Sequence, residues 1–95
     1  MCEWDWNKQY KDGGKAIPMR MMEPLKRYVQ RGTIPGDFLQ KVICNDLKGA
    51  IAHADEENLN CLAVYVRFFY NQCPSECWGS KGKMKAWHDR GGLNG

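Results

Sequence analysis

The stretch Trp78-Gly79-Ser80-Lys81-Gly82-Lys83 holds residue types that would grip a phosphate joined to a base. Small residues at a helix start leave backbone N–H groups exposed, the helix dipole favours negative charge there, and two lysines beside an aromatic ring suit a flat anion. It is not a Walker A loop, because the first glycine and the required spacing are absent. The same residues also read as a capped surface helix with solubilising lysines, and residue chemistry alone favours that second reading. Cys73 and Cys77 stand four apart, with His53 and His88 elsewhere, but the second pair that a closed tetrahedral zinc site needs is missing. The thiols therefore read as ordinary buried or free cysteines. Nothing sets a cysteine beside a histidine as a nucleophile pair, and Asp46 and Asp55 fall on separate predicted helices, so no carboxylate pair is assembled. No catalytic set, metal site or cofactor is assigned.

The elements that must position these residues centre on residues 35–58. Pro35 and Gly36 open a helix and Asp37 is its natural N-cap. Phe38, Leu39, Val42, Ile43, Leu47, Ala50, Ile51 and Ala54 then recur at three- and four-residue steps, a single apolar stripe. Asp46, with Asn45 beside it, interrupts that stripe, so a carboxylate either finds a partner there or lines a pocket. Asp55 caps a third helix that runs to about Gln72, with Glu56 and Glu57 in its first turn. That helix is apolar on two sides: Leu59, Leu62, Ala63, Val66, Phe69, Tyr70 and Cys73 mark one, and Cys61, Val64, Tyr65 and Phe68 the other. Such a helix must be covered nearly all round, and in so small a chain part of the cover has to come from a second copy.

Upstream, Met21, Met22, Leu25, Tyr28 and Val29 form the apolar side of a first helix. Pro24 is tolerated only near a helix start, which places the regular helix from about Glu23 to Arg31, with Gly32 as its stop. The basic side of this helix reads as a solvated face, with Arg27 and Arg31 as candidate anion contacts. Residues 1–16 form an irregular arm carrying Trp4, Trp6 and Tyr10 and turning at Asp12-Gly13-Gly14. It packs on its own domain or on a neighbouring subunit. Ser80 caps a short basic helix near the end, and residues 91–95 read as a frayed tail. The expected fold is all-α: a compact bundle of three to four helices over residues 17–90, assembled as a homo-oligomer.

Composition sets the outer limits. Ninety-five residues make one domain with a thin core. Fourteen basic against eleven acidic residues give a net charge of +3, too mild for a DNA-binding protein, and the acids at residues 55–57 argue against a track for long nucleic acid. Five cysteines without a framework and an N-terminus unlike a secretion signal point to reduced thiols in the cytoplasm. No apolar run approaches the roughly twenty residues needed to cross a bilayer, so no membrane partner is expected. Four tryptophans and four tyrosines exceed what a thin core needs, which leaves some to face a ligand or another subunit.

Ile34-Pro35-Gly36-Asp37-Phe38-Leu39, Asn45-Asp46-Leu47, Ala54-Asp55-Glu56-Glu57-Asn58 and Cys73-Pro74-Ser75-Glu76-Cys77-Trp78-Gly79-Ser80, with Trp87 following, resemble a group of small proteins encoded by phages and prophages. The resemblance spans residues 17–87. It implies a phage-encoded accessory protein working in the host bacterial cytoplasm. Many such proteins counter bacterial defences, and one class, the immune-signal sponges, consists of compact oligomers that bind cyclic nucleotides or ADP-ribose derivatives without cleaving them. On that expectation Trp78, Ser80, Lys81 and Arg31 meet phosphate or base, and Asn45, Asp46, Asp55 and Asn58 supply polar contacts. A rival expectation is an inhibitor of a host defence effector, anti-CRISPR-like, that binds protein through its aromatic surface. A third is an enzyme that degrades a signal nucleotide.

Overall fold

The chain doubles back at Gly13-Gly14, where both glycines take left-handed angles (φ 59° and 79°) that match the twist of a two-residue hairpin. This computed structural model describes residues 5–95; Cys2 and Trp4 lie outside the described residues. Strands β1 (Lys11–Asp12) and β2 (Lys15–Ala16) pair antiparallel, Lys11 opposite Ala16 and Asp12 opposite Lys15. This arm lies on its own domain. The rings of Tyr10 and Trp6 meet Phe68 edge-on at 5.2 and 5.7 Å, and Arg67 pairs with Asp12 at 3.2 Å.

Helix α1 spans Met19–Arg31 and so begins before Pro24 rather than beside it. The proline removes one helical hydrogen bond, yet the turn before it holds because Met22 and Leu25 are buried and Arg20 pairs with both Asp55 and Glu57 at 2.9 Å. Gly32 closes the helix as expected: at φ 73° its N–H reaches the Tyr28 carbonyl at 2.8 Å.

The predicted central helix is two helices, α2 (Asp37–Ile43) and α3 (Leu47–His53). Gly36, not Asp37, occupies the cap position of α2, and Asp37 is its first residue, an acid where the dipole favours one. Asn45 breaks the run. It adopts φ 61°, a left-handed angle that asparagine accepts more readily than most residues, and the chain closes α2 with Asp46 N–H on the Lys41 carbonyl and Asn45 N–H on the Val42 carbonyl. Asp46 then caps α3, its Oδ1 accepting from Gly49 N–H at 2.9 Å. The predicted third helix likewise divides at Cys61 into α4 (Glu56–Asn60), capped by Asp55 as expected, and α5 (Leu62–Gln72).

A 3-10 turn (Ser75–Cys77) leads to α6 (Lys81–Arg90), where Ser80 Oγ accepts from Lys83 N–H at 3.1 Å. The final glycines, read as a frayed tail, form a second 3-10 turn (Gly92–Asn94) seated on the end of α1. Among the described residues the architecture is therefore six short helices with a two-strand hairpin, more pieces than the expected three or four. Of the two apolar sides of α5, Val64, Tyr65 and Phe68 enter the core with Tyr28, Leu25, Ile43 and Trp87, and the other side divides: Phe69 is buried while Val66 and Tyr70 stay exposed. No helix among the described residues is long and apolar enough to cross a membrane.

Two backbone positions test this account by chemical denaturation. Asn45→Val should cost about 1–2 kcal/mol, because a β-branched residue resists the left-handed angle, whereas Asn45→Gly should leave stability nearly unchanged. Gly92→Ala should cost more, on the order of 2–3 kcal/mol, because its Cβ would come within 2.5 Å of the Arg31 and Gly32 backbone nitrogens at φ 73°.

Candidate functional site

Helix α6 presents Lys81, Lys85 and His88 at steps of four and three, which places them on one side of the helix with Met84 between. Ile34, from the connection between α1 and α2, faces that side. Together with Gly82 these residues line an open groove of about 500 Å³, within the usual size range of small-molecule sites. Ile34 and Met84 make an apolar floor, and every charged lining side chain is basic. Ile34 also walls an adjoining cleft of about 200 Å³ that holds Arg27. Basic side chains therefore stand on both sides of the Ile34 ridge.

The polar groups differ in how far they are committed. Lys83 turns away to donate to the Ser75 carbonyl at 3.2 Å, and Lys85 meets Asp89 at 2.9 Å, one turn on. The Lys85 ammonium holds the Asp89 carboxyl below the usual carboxylate range by hydrogen bond and charge. Lys81 forms no ion pair among the described residues. His88 Nδ1 lies 2.7 Å from the Gly32 carbonyl, which requires Nδ1 to carry the proton and leaves Nε2 free for a ligand. Such a groove can take an anion with an apolar or flat body.

Of the residues expected at a site, Ser80 and Lys81 meet at the start of α6, where the Ser80 hydroxyl is already used as a cap. Asn45 and Asp46 come near them, because Gly79 N–H bonds the Ile43 carbonyl at 2.7 Å and ties the turn to the end of α2. Lys81, Lys41 and Asp46 all act electrostatically on Cys44, whose thiol is pushed up chiefly by burial. Trp78 faces elsewhere: its ring meets Tyr70 edge-on at 6.2 Å and its buried Nε1 has no hydrogen-bond partner among the described residues. Asn45 and Asp46 line only a shallow dimple of about 40 Å³ between α3 and α5, too small for a nucleotide.

Asp55 and Asn58 lie at the start of α4. Asp55 Oδ1 accepts from Asn58 N–H at 2.8 Å and its Oδ2 pairs with Arg20, while Asn58, only 4% exposed, accepts from the Tyr65 hydroxyl at 2.6 Å. Both side chains therefore serve the fold. Asn58 also touches a separate cleft of about 320 Å³ walled by Met21, Pro24, Phe38 and Leu39. Arg31 is exposed in the last turn of α1, and Arg27, not Arg31, lines the cleft beside the basic groove. Residue types alone do not mark Ile34 or Lys85 and raise His88 only as a zinc ligand; the signal for Lys85 and His88 is their helical spacing from Lys81.

The four described cysteines carry free thiols, and among the described residues no three His, Cys, Asp or Glu side chains gather as a metal site. No family model, curated protein or solved structure matches this chain.

Asp55 gives a pH signature. The Asn58 backbone N–H, and after it the Arg20 guanidinium, hold its carboxyl below the usual carboxylate range. A depressed folded pKa contributes stability above the unfolded value of about 3.9 and loses it as pH falls through the folded value. Asp55→Ala should therefore lower the melting temperature clearly at pH 7, with a deficit that shrinks as the pH is taken down to about 2. A deficit that is constant with pH would mean the carboxylate charge has no part in it.

Proposed function

We propose that this protein is a non-catalytic binder that sequesters a small phosphate-bearing ligand of the nucleotide-derived class in the groove between α6 and Ile34. The observation that carries this reading is the groove's composition: an apolar floor of Ile34 and Met84 rimmed by Lys81, Lys85 and His88. A nucleotide-derived signal has the complementary parts. Its phosphates meet the Lys81 and Lys85 ammonium groups, a ribose hydroxyl can donate to the free His88 nitrogen, and its base rests on the apolar floor, a role the residue types suggested for Trp78. Arg27, across the Ile34 ridge, is placed for a second phosphate of an extended or cyclic ligand. The resemblance to small phage-encoded proteins gives this activity a role, the removal of an immune signal in an infected bacterium.

The rival reading, an inhibitor that binds a host protein, draws on a different part of the surface, where Leu47, Val66 and Tyr70 are exposed. Calorimetric titration with cyclic dinucleotides and cyclic ADP-ribose isomers separates the two. Sequestration predicts tight binding of at least one of these, weakened by added salt, with intact ligand recovered after the complex is heated. The Lys81→Ala, Lys85→Ala double variant should lose roughly tenfold or more in affinity, the worth of one to two charge-assisted hydrogen bonds. Absence of binding across the panel, or unaltered affinity in the double variant, contradicts the proposal. Recovery of a cleaved ligand would mark an enzyme instead.

A further inference from the structure

Seven large apolar side chains are exposed among the described residues, and five of them, Leu47, Ile51, Leu59, Val66 and Tyr70, lie on α3, α4 and α5. Leu47 and Val66 border the shallow dimple between α3 and α5, whose floor includes Leu62 and Ala50. Ile51 follows Leu47 by one turn and Tyr70 follows Val66 by one turn, so the residues form a continuous stripe. It runs from the acidic start of α4 to the turn that leads into basic α6. Tyr70 is the most prominent feature on it. Its side chain is 74% exposed and is steadied from behind by the Trp78 ring.

We infer that this stripe is a two-fold interface with a second copy of the chain, in which the two α5 helices pack antiparallel about Val66. The charges on the stripe select this partner. One end carries Asp55, Glu56 and Glu57 against Arg20 and Lys15, whose Nζ donates to the Asn60 carbonyl at 2.8 Å, and the other carries Lys81 and Lys83 against Glu76. An antiparallel two-fold lays each acidic end on the partner's basic end, and does so at both ends at once. The side chains agree with that placement. With Val66 on the axis, a residue four places after it faces one four places before it, so Tyr70 of each copy meets the partner's Leu62 at the dimple floor. A dimple of about 40 Å³ is too small for a nucleotide but is shaped to seat the tip of one aromatic side chain. The lone α5 thus gains the second cover that its apolar sides require.

The test is sedimentation of the full chain over a wide concentration range. The inference predicts a concentration-dependent dimer, twice 11.0 kDa. Val66→Asp, at a side chain that is 49% exposed, should give a monomer with an unaltered far-ultraviolet spectrum and melting curve measured under dilute conditions. Glu56→Lys and Lys81→Glu should each weaken dimerisation roughly three- to tenfold, and the doubly substituted chain should recover most of the loss. A chain that stays monomeric at the highest concentrations overturns the inference. So does a folded Val66→Asp dimer, or a charge-reversal pair whose losses add instead of cancelling. Because the readout is mass, these outcomes are independent of whether any nucleotide binds the α6 groove.

Discussion

Tyr28 is the joint on which the other parts depend. Its ring is fully buried, so its hydroxyl must have a partner, and the partner is the Cys77 carbonyl at 2.6 Å. Burial raises the phenol pKa far above its ordinary value, which keeps the hydroxyl protonated and able to donate. The Tyr28 backbone carbonyl accepts twice, from Gly32 N–H at 2.8 Å and from the Trp87 indole at 2.9 Å. One residue of α1 thereby fixes the 3-10 turn, the end of its own helix and the middle of α6. His88, next to Trp87, adds its bond to the Gly32 carbonyl, and the side of α6 carrying Lys81 and Lys85 is held facing Ile34.

The second constraint is size. A chain this short buries only about two thirds of its unfolded surface, so it has too little interior to absorb every apolar face its helices present. Breaking the long helical runs at Asn45 and Cys61 lets α2, α4 and α5 wrap one core, built on Tyr65, Phe68 and Phe38, with Phe38 and Tyr65 edge-on at 5.2 Å. The same breaks turn Leu47, Ile51, Leu59 and Val66 outward. The molecule is left with two unlike surfaces, a basic groove along α6 and an apolar stripe along α5. The first suits a small anion and the second a protein.

Local signals in the sequence were read well where one residue decides the backbone. Asp55 and Ser80 cap the helices they were expected to cap, Gly32 stops α1, and Gly13-Gly14 turns the arm. Asn45-Asp46 is hidden as a break because its neighbours keep a helical period through it. An asparagine that can close one helix followed by an aspartate that can cap the next is a boundary signal, and here it outweighs periodicity. Which side of α5 faces inward could not be read from α5 itself, since both sides are apolar; it follows from where the hairpin and α2 sit. The candidate site was legible at Lys81 and, across the Ile34 ridge, at Arg27. Trp78 looked like a stacking platform, but its ring is engaged with Tyr70, and the apolar floor comes from Ile34, a residue distant in sequence from α6.

The most direct test of this account is the stability of Tyr28→Phe, measured by chemical denaturation together with amide hydrogen exchange. Removing the hydroxyl strands the buried Cys77 carbonyl without altering the ring that packs the core. The variant should lose about 1–3 kcal/mol, with the added exchange concentrated in the Ser75–Cys77 turn and α6. A variant as stable as the parent within about 0.5 kcal/mol, with α6 amides equally protected, would contradict the claim that this hydrogen bond sets the groove in place.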